Sequence, residues 1–174
     1  MSEATAQGEA IQKFEVMSVD LPFRLTFKHA AAARKASSSV FIRCTTESGA
    51  VGYGESLPRE YVTGESQEST HGLLRDEILP RLVGETFADF GQVRQYLSHC
   101  DGKTPADWGL GEAPQTAAWC AVDLALLDAF GHHFRETVLA RDSAQPSPDY
   151  RYSAVISAAG GWTLYKTLLK LRQF

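Results

Sequence analysis

Between Pro114 and Gly131 the chain reads QTAAWCAVDLALLDAF, a stretch that is apolar on nearly every side of a helix and is interrupted only by Asp123 and Asp128. Proline suits the first turn of a helix and glycine the position past its end, so the pair brackets roughly 25 Å of helix at about 1.5 Å per residue. Such a helix has no solvent face and must be wrapped by other elements. With its two aspartates it is no membrane span either. The rest of the chain therefore has to build layers around one central helix, and 174 residues of which 44% are hydrophobic suffice for one sizeable core.

Strands come first. Residues 11–19 alternate weakly; residues 38–46 alternate well, with Val40, Ile42 and Cys44 on one face and Phe41, Arg43 and Thr45 on the other. Glu47, Ser48 and Gly49 make a short hairpin connection to a third strand at 50–55, with Gly49 suited to a positive φ. These three strands predict an antiparallel meander. Two longer connections stand out. The segment 21–36, LPFRLTFKHAAAARKA, is too long for a tight turn and carries four basic side chains and His29, so it is either a functional loop or a solvated connection. The segment 56–66, SLPREYVTGES, is a turn-rich loop carrying Arg59, Tyr61 and Thr63.

From about Ser66 the period becomes helical. Leu74, Ile78 and Leu82 form one stripe that Pro80 kinks or ends before Gly84. Thr86 and Asp89 fit a capping-box variant opening a helix whose buried side is Phe87, Phe90, Val93 and Leu97. Beyond the central helix, RDSAQPSPD has the composition of a linker, YRYSAVIS that of a strand buried on both faces, and Leu164, Leu168 and Leu171 mark one side of a last helix. A strand followed by a helix is the unit of a parallel sheet, which needs a second strand beside it. None follows before Phe174, and the expectation is a truncated βα unit. The fold class expected is α+β, divided into a disordered N-terminus (1–10), a meander and helical bundle (11–140), a linker (141–149) and the βα unit (150–174).

Charge and cysteine usage exclude several function classes. A net charge of −4 without a basic run gives no general attraction to nucleic acid. Three cysteines, Cys44, Cys100 and Cys120, lie far apart in an odd number, which fits reduced thiols. The start, MSEATAQGEA, lacks the charged and apolar regions of a signal peptide, so a cytoplasmic location without membrane contact is expected. Adjacent His132 and His133 are a poor spacing for metal ligands. Asp123 and Asp128, five apart, are rotated roughly 140° on a helix of 3.6 residues per turn and are expected to cap or pair with loop groups. GYGESL and GLGEAP lack the third glycine of a dinucleotide fingerprint.

Four segments in order carry a resemblance: SSSVFIRCTTESGAVGYGE (37–55), PREYVTGES (58–66), AAWCAVDLALLDAFG (117–131) and YRYSAVIS (150–157). Together they resemble the mandelate racemase and muconate lactonizing enzyme branch of the enolase superfamily, and the TGE that follows VGYGE is most similar to the dipeptide epimerases. The resemblance implies an N-terminal capping domain with the start of a (β/α)8 barrel. The implied parent is an isomerase (racemase, epimerase or cycloisomerase) acting on a small carboxylate such as a dipeptide or an N-acyl amino acid. In such enzymes Mg²⁺ stabilises an enolate, and its carboxylate ligands and the lysine bases lie on later barrel strands. No residue of this chain is accordingly expected to be catalytic or to bind metal, and the chain alone is expected to be inactive.

Substrate contact is implied for Arg34, His29, Tyr61 and Thr63 on two closing loops, and for Ser153 at the first barrel strand. Ala32 stands where some Ala-Glu epimerases carry a substrate-binding arginine, with Arg34 nearby. The stretch GHHFRETVLARD also lacks the family's usual glycine-and-proline turn after the central helix. Two other readings are a stand-alone binding or interaction module, with the TGE and basic loops for a partner and the unpaired YRYSAVIS strand in 150–174 for docking or self-association, and one half of a complementing split enzyme whose missing barrel a separate polypeptide supplies.

Overall fold

The computed structural model of the chain describes residues 8–29, 32–100, 103–110, 115–138 and 161–171. The chain divides into two compact units, Met1–Leu21 with Ser37–Ala140, and Pro22–Ala36 with Arg141–Phe174.

The three strands of the meander precede the helices, as expected. Strand β1 (Glu9–His29) starts two residues before the predicted strand, and β2 (Ala32–Thr46) and β3 (Val51–Ser56) complete the meander. The hairpin between β2 and β3 turns at Gly49, whose φ of 88° is open to glycine at little cost. A fourth strand that the sequence did not signal, β4 (Thr86–Phe87), pairs antiparallel with Glu9 and Ala10, giving the sheet order β3-β2-β1-β4. Where an open loop was expected at 21–36, the backbone stays in strands to His29 and again from Ala32. Phe23, Leu25 and Phe27 alternate there with Arg24, Thr26 and Lys28, a period of two that carries β1 onward.

The helices of the first unit pack on one face of this sheet. Helix α1 (Glu60–Thr63) is a single turn; α2 (Gln67–Leu73) continues through a π-helical turn (Leu74–Ile78) into α3 (Leu79–Leu82). The wide turn accommodates Pro80, and Leu74, Ile78 and Leu82 are buried as predicted. Helix α4 (Phe90–Cys100) starts later than the proposed Thr86 cap, because Thr86 and Phe87 are taken by the sheet. Its cap is Asp89, whose Oδ1 accepts the Gln92 N–H at 2.8 Å while Gln92 Oε1 accepts the Ala88 N–H at 3.0 Å.

The central helix α5 (Thr116–Phe134) runs one turn past Gly131. It ends at Arg135, which adopts the left-handed conformation at φ 56° and donates its N–H to the Gly131 carbonyl. Trp119, Val122, Leu126 and Phe130 on α5 meet Val40 and Ile42 of β2 and Phe87 and Phe90 in one core. Each side chain of this size contributes about 1.5–3 kcal/mol on burial. The expectation of an all-round buried helix fails on one side, where Leu124 is 44% exposed and Cys120 is exposed.

Where α5 crosses β3 the two backbones touch. A Cβ on Gly54 would overlap the Ala121 carbonyl oxygen, and one on Gly52 would overlap the backbone of Ala125 and Ala129. The VGYGE sequence and the Ala121, Ala125, Ala129 stripe are thus two halves of one joint.

In the second unit the described elements are residues 22–29 and 32–36 of the strand ribbon and α6 (Gly161–Leu171). On α6, Trp162 stacks on Tyr165 with ring centroids 5.7 Å apart and the Lys166 ammonium lies 5.5 Å from the Trp162 ring. Trp162, Tyr165, Leu168 and Leu169 are exposed. The segment YRYSAVIS and the linker 141–149 lie outside the described residues.

Candidate functional site

The segment between β3 and α2 is built from two short-range devices and one long-range one. Gly64, at φ 76°, closes the single turn of α1 by donating its N–H to the Glu60 carbonyl at 3.1 Å. Ser66 then caps α2, its Oγ accepting the Ser69 N–H while Ser69 Oγ accepts the Ser66 N–H. Between them Glu65 turns inward. The residue is 5% exposed, and its carboxylate accepts the Ala117 N–H at 2.8 Å and the Ala118 N–H at 2.9 Å, so two N–H groups in the first turn of α5 are satisfied from a distant loop. A negative charge there also meets the positive end of the α5 dipole.

This pinning presents Tyr61 and Val62, 49% and 66% exposed, on the outer side of the α1 turn. Thr63 is half-buried, its hydroxyl donating to the Arg59 carbonyl at 3.4 Å. The structure therefore brings Tyr61 and Thr63 together on one turn. His29 closes β1 and Arg34 lies near the start of β2, both on the strand ribbon of the second unit. Ser153 lies outside the described residues. Glu65 escaped the sequence reading as an individual residue; the TGE motif was its only local signal, and its partners lie 52 and 53 positions away.

Other polar clusters hold the α5 end to the β2–β3 hairpin. His133 Nδ1 lies 2.9 Å from Ser48 Oγ and 3.8 Å from Glu9 Oε2, a serine, histidine and glutamate in one place. They are not a nucleophile relay, which needs the hydroxyl and the carboxylate on opposite ring nitrogens; here both approach Nδ1. Burial pushes the Glu9 carboxyl up, but hydrogen bonds from the Thr46 hydroxyl and the Ser48 amide and hydroxyl, with the His133 charge, outweigh it and hold it below the ordinary carboxylate value. Burial raises Asp123, which has no such partners among the described residues. The Cys44 thiol, buried under the sheet, is pushed up to about 12, a value that makes it inert as a nucleophile.

Among the described residues no three His, Cys, Asp or Glu side chains come together to hold a metal ion. Nor is any described helix long and apolar enough to cross a membrane.

Comparison with known proteins matches this architecture. The family model for the mandelate racemase / muconate lactonizing enzyme N-terminal domain covers residues 11–140. An N-succinyl-L-Arg/Lys racemase of Bacillus cereus is 24% identical over 149 residues, 86% of this chain and 37% of the racemase. A chloromuconate cycloisomerase of Cupriavidus pinatubonensis is 32% identical over 117 residues, 66% of this chain and 28% of the cycloisomerase. Among solved structures, a substrate-liganded L-Ala-D/L-Glu epimerase of Bacillus subtilis superposes with a TM-score of 0.58 at 27% identity, over 71% of this chain and 32% of the epimerase. The chain thus spans about a third of the length of these relatives. With the family model matching residues 11–140, the chain belongs to the mandelate racemase/muconate lactonizing enzyme branch of the enolase superfamily, and these residues are its N-terminal capping domain.

Proposed function

We propose that residues 11–140 select the substrate for a metal-dependent isomerase whose chemistry is carried by a (β/α)8 barrel. The reaction is a racemisation, epimerisation or cycloisomerisation of a small carboxylate, such as a dipeptide or N-acyl amino acid, in the cytoplasm. The observation that carries this reading is the family match over 11–140, since the relatives it groups include a racemase, an epimerase and a cycloisomerase. A cation such as Mg²⁺ supplies charge stabilisation for the enolate of such a substrate. Among the described residues no three carboxylates, histidines or cysteines gather to hold it, and by family resemblance the metal ligands and the proton-abstracting base are proposed to lie in the barrel. This chain's part is recognition: Arg34 and His29 on the ribbon, Tyr61 and Thr63 on the pinned α1 turn, and Ser153 where the barrel begins. The exposed apolar side chains of α6 support docking of residues 150–174 against barrel structure.

The test has two arms. The chain alone, with Mg²⁺ and a panel of dipeptides and N-succinyl amino acids, is followed for deuterium uptake at the α-carbon; no exchange above a metal-free control is expected. Residues 1–150 are then joined to the barrel of the Bacillus subtilis epimerase. Exchange with an altered substrate preference supports the reading, and exchange by the isolated chain, or an active chimera with unaltered preference, overturns it.

A further inference from the structure

Strand β3 is the last strand of the order β3-β2-β1-β4, so one of its edges has no strand beside it among the described residues. Hairpin geometry decides which backbone groups face that edge. The Thr46 N–H donates to the Ala50 carbonyl at 2.9 Å, and with the register Cys44↔Gly52 and Ile42↔Gly54 this makes Gly52 and Gly54 the residues bonded to β2. Val51, Tyr53 and Glu55 turn their backbone groups outward. An unpaired row of this kind is a template for another strand, and proteins ordinarily blunt it with lysine, proline or a bulge. The sequence of β3, VGYGES, has neither lysine nor proline. Exposed apolar side chains stand near it, Tyr53 at 54%, Leu124 at 44% and Val138 at 48%, among the polar Glu55, Asp128, His132 and Glu136.

The outward groups are met by side chains of α5. Asp128 Oδ2 accepts the Tyr53 N–H at 2.8 Å, and His132 Nδ1–H donates to the Val51 carbonyl at 2.9 Å. Four residues apart, the two share one face of the helix, with Asp128 Oδ1 3.8 Å from His132 Nδ1. Cys120 Sγ stands 3.9 Å from the Glu55 carbonyl, farther along the same edge. These bonds are not needed to attach α5 to β3, because the contact of Gly52 and Gly54 with Ala121, Ala125 and Ala129 already does so.

We infer that Asp128 and His132 guard the edge of β3: they occupy its outward backbone groups and prevent β3 from adding the β3 strand of a second copy of this chain. The partner excluded is a copy of the chain because an antiparallel pair of identical edges is self-complementary, with each outward N–H of one copy finding a carbonyl of the other.

The test compares the parent chain with Asp128→Ala/His132→Ala by sedimentation velocity from about 5 to about 500 µM, since association is read as a concentration dependence. The double variant is expected to approach twice the parent's mass at the upper concentrations. Adding Tyr53→Lys, a charge on the exposed edge, is expected to return it to the parent's behaviour. Asp128→Asn/His132→Gln, which keeps an acceptor and a donor in place, is expected to behave as the parent. A folded alanine variant whose Tyr53 amide exchanges freely while its mass follows the parent's overturns the guard. So does association of the Asn/Gln variant equal to that of the alanine variant. Loss of the fold in the alanine variant, read by circular dichroism, also overturns it, because the side chains would then be attachments.

Discussion

Glu65 closes the N-terminus of α5 from another part of the chain, its Oε1 accepting the Ala118 N–H at 2.9 Å across 53 positions of sequence. Oε2 does the same for Ala117. Replacing Glu65 by alanine leaves two buried N–H groups without partners and removes a charge from the helix dipole, so Glu65→Ala is expected to cost about 2–4 kcal/mol. Glu65→Gln keeps one acceptor oxygen and is expected to cost about half as much. Urea unfolding measures both; an unchanged midpoint for Glu65→Ala would remove the carboxylate from the account of α5.

The glycines of β3 and of its hairpin should behave differently. Gly54→Ala drives a methyl into the Ala121 carbonyl, and since neither backbone can yield without moving the sheet, the expected loss is about 3 kcal/mol or more. Gly49 has open space around it, and Gly49→Ala meets only the strain of φ 88°, about 1 kcal/mol. Thermal unfolding of the two variants side by side checks the order, and equal losses would contradict the close approach of α5 and β3.

Two carboxylates give opposite pH slopes. Glu9 is held below the ordinary value of 4.5, so the stability it contributes is present above that value and is lost as pH falls through its folded pKa. Asp123 is raised above 3.8 by burial, so its ionisation opposes folding, and that penalty appears as pH rises through 3.8 and onward through its folded value. Unfolding midpoints from about pH 7 to about pH 3 should therefore fall less steeply in Glu9→Gln than in the parent. Asp123→Asn should be more stable than the parent near neutrality and equal to it in acid. The same slope in Glu9→Gln as in the parent would refute the first half.

Of the proposed substrate contacts, Arg34 is the one on which the proposed function leans most. A guanidinium can hold a carboxylate through two parallel hydrogen bonds, which lysine cannot reproduce. In the chimera, Arg34→Ala is expected to raise KM about tenfold for anionic substrates and to change kcat much less, the pattern of binding energy shared by ground and transition states. An unaltered KM in a variant as stable as its parent would return Arg34 to the rim of the cap.

How much of this was legible depended on how local each cause is. The β2 and β3 strands, the Leu74, Ile78, Leu82 stripe and the central helix were readable because period and composition act within a few residues. The length of β1 was hidden because Pro22 and the alanines beyond His29 look like a loop, although alternation persists from Phe23 to Lys28. Helix α5 outruns Gly131 because Arg135 takes the left-handed position usually given to glycine. Asp128 was expected to meet loop groups and instead meets a strand amide, and His132, read as unremarkable, bonds the same strand. Neither partner could be named without the register of β3 against α5. The Glu65 contact was out of reach for the same reason, with Ala117 lying 52 positions farther along the chain.

At Gly52 and Gly54 the joint between β3 and α5 has no side chain from the strand to compress or slide, and main chain there meets main chain. Such a joint behaves like a weld. Residues 57–64, with Tyr61 and Thr63 among them, leave it at Ser56 and return to it at Glu65, so both feet of this arch stand on the same rigid body. A fixed span sets a limit on travel: the arch can flex at its crown, but it cannot swing as a long flap does, because neither foot can shift without the other. The selectivity of such an arch would then be altered by exchanging the residues at its crown, whereas lengthening the hinge would achieve little.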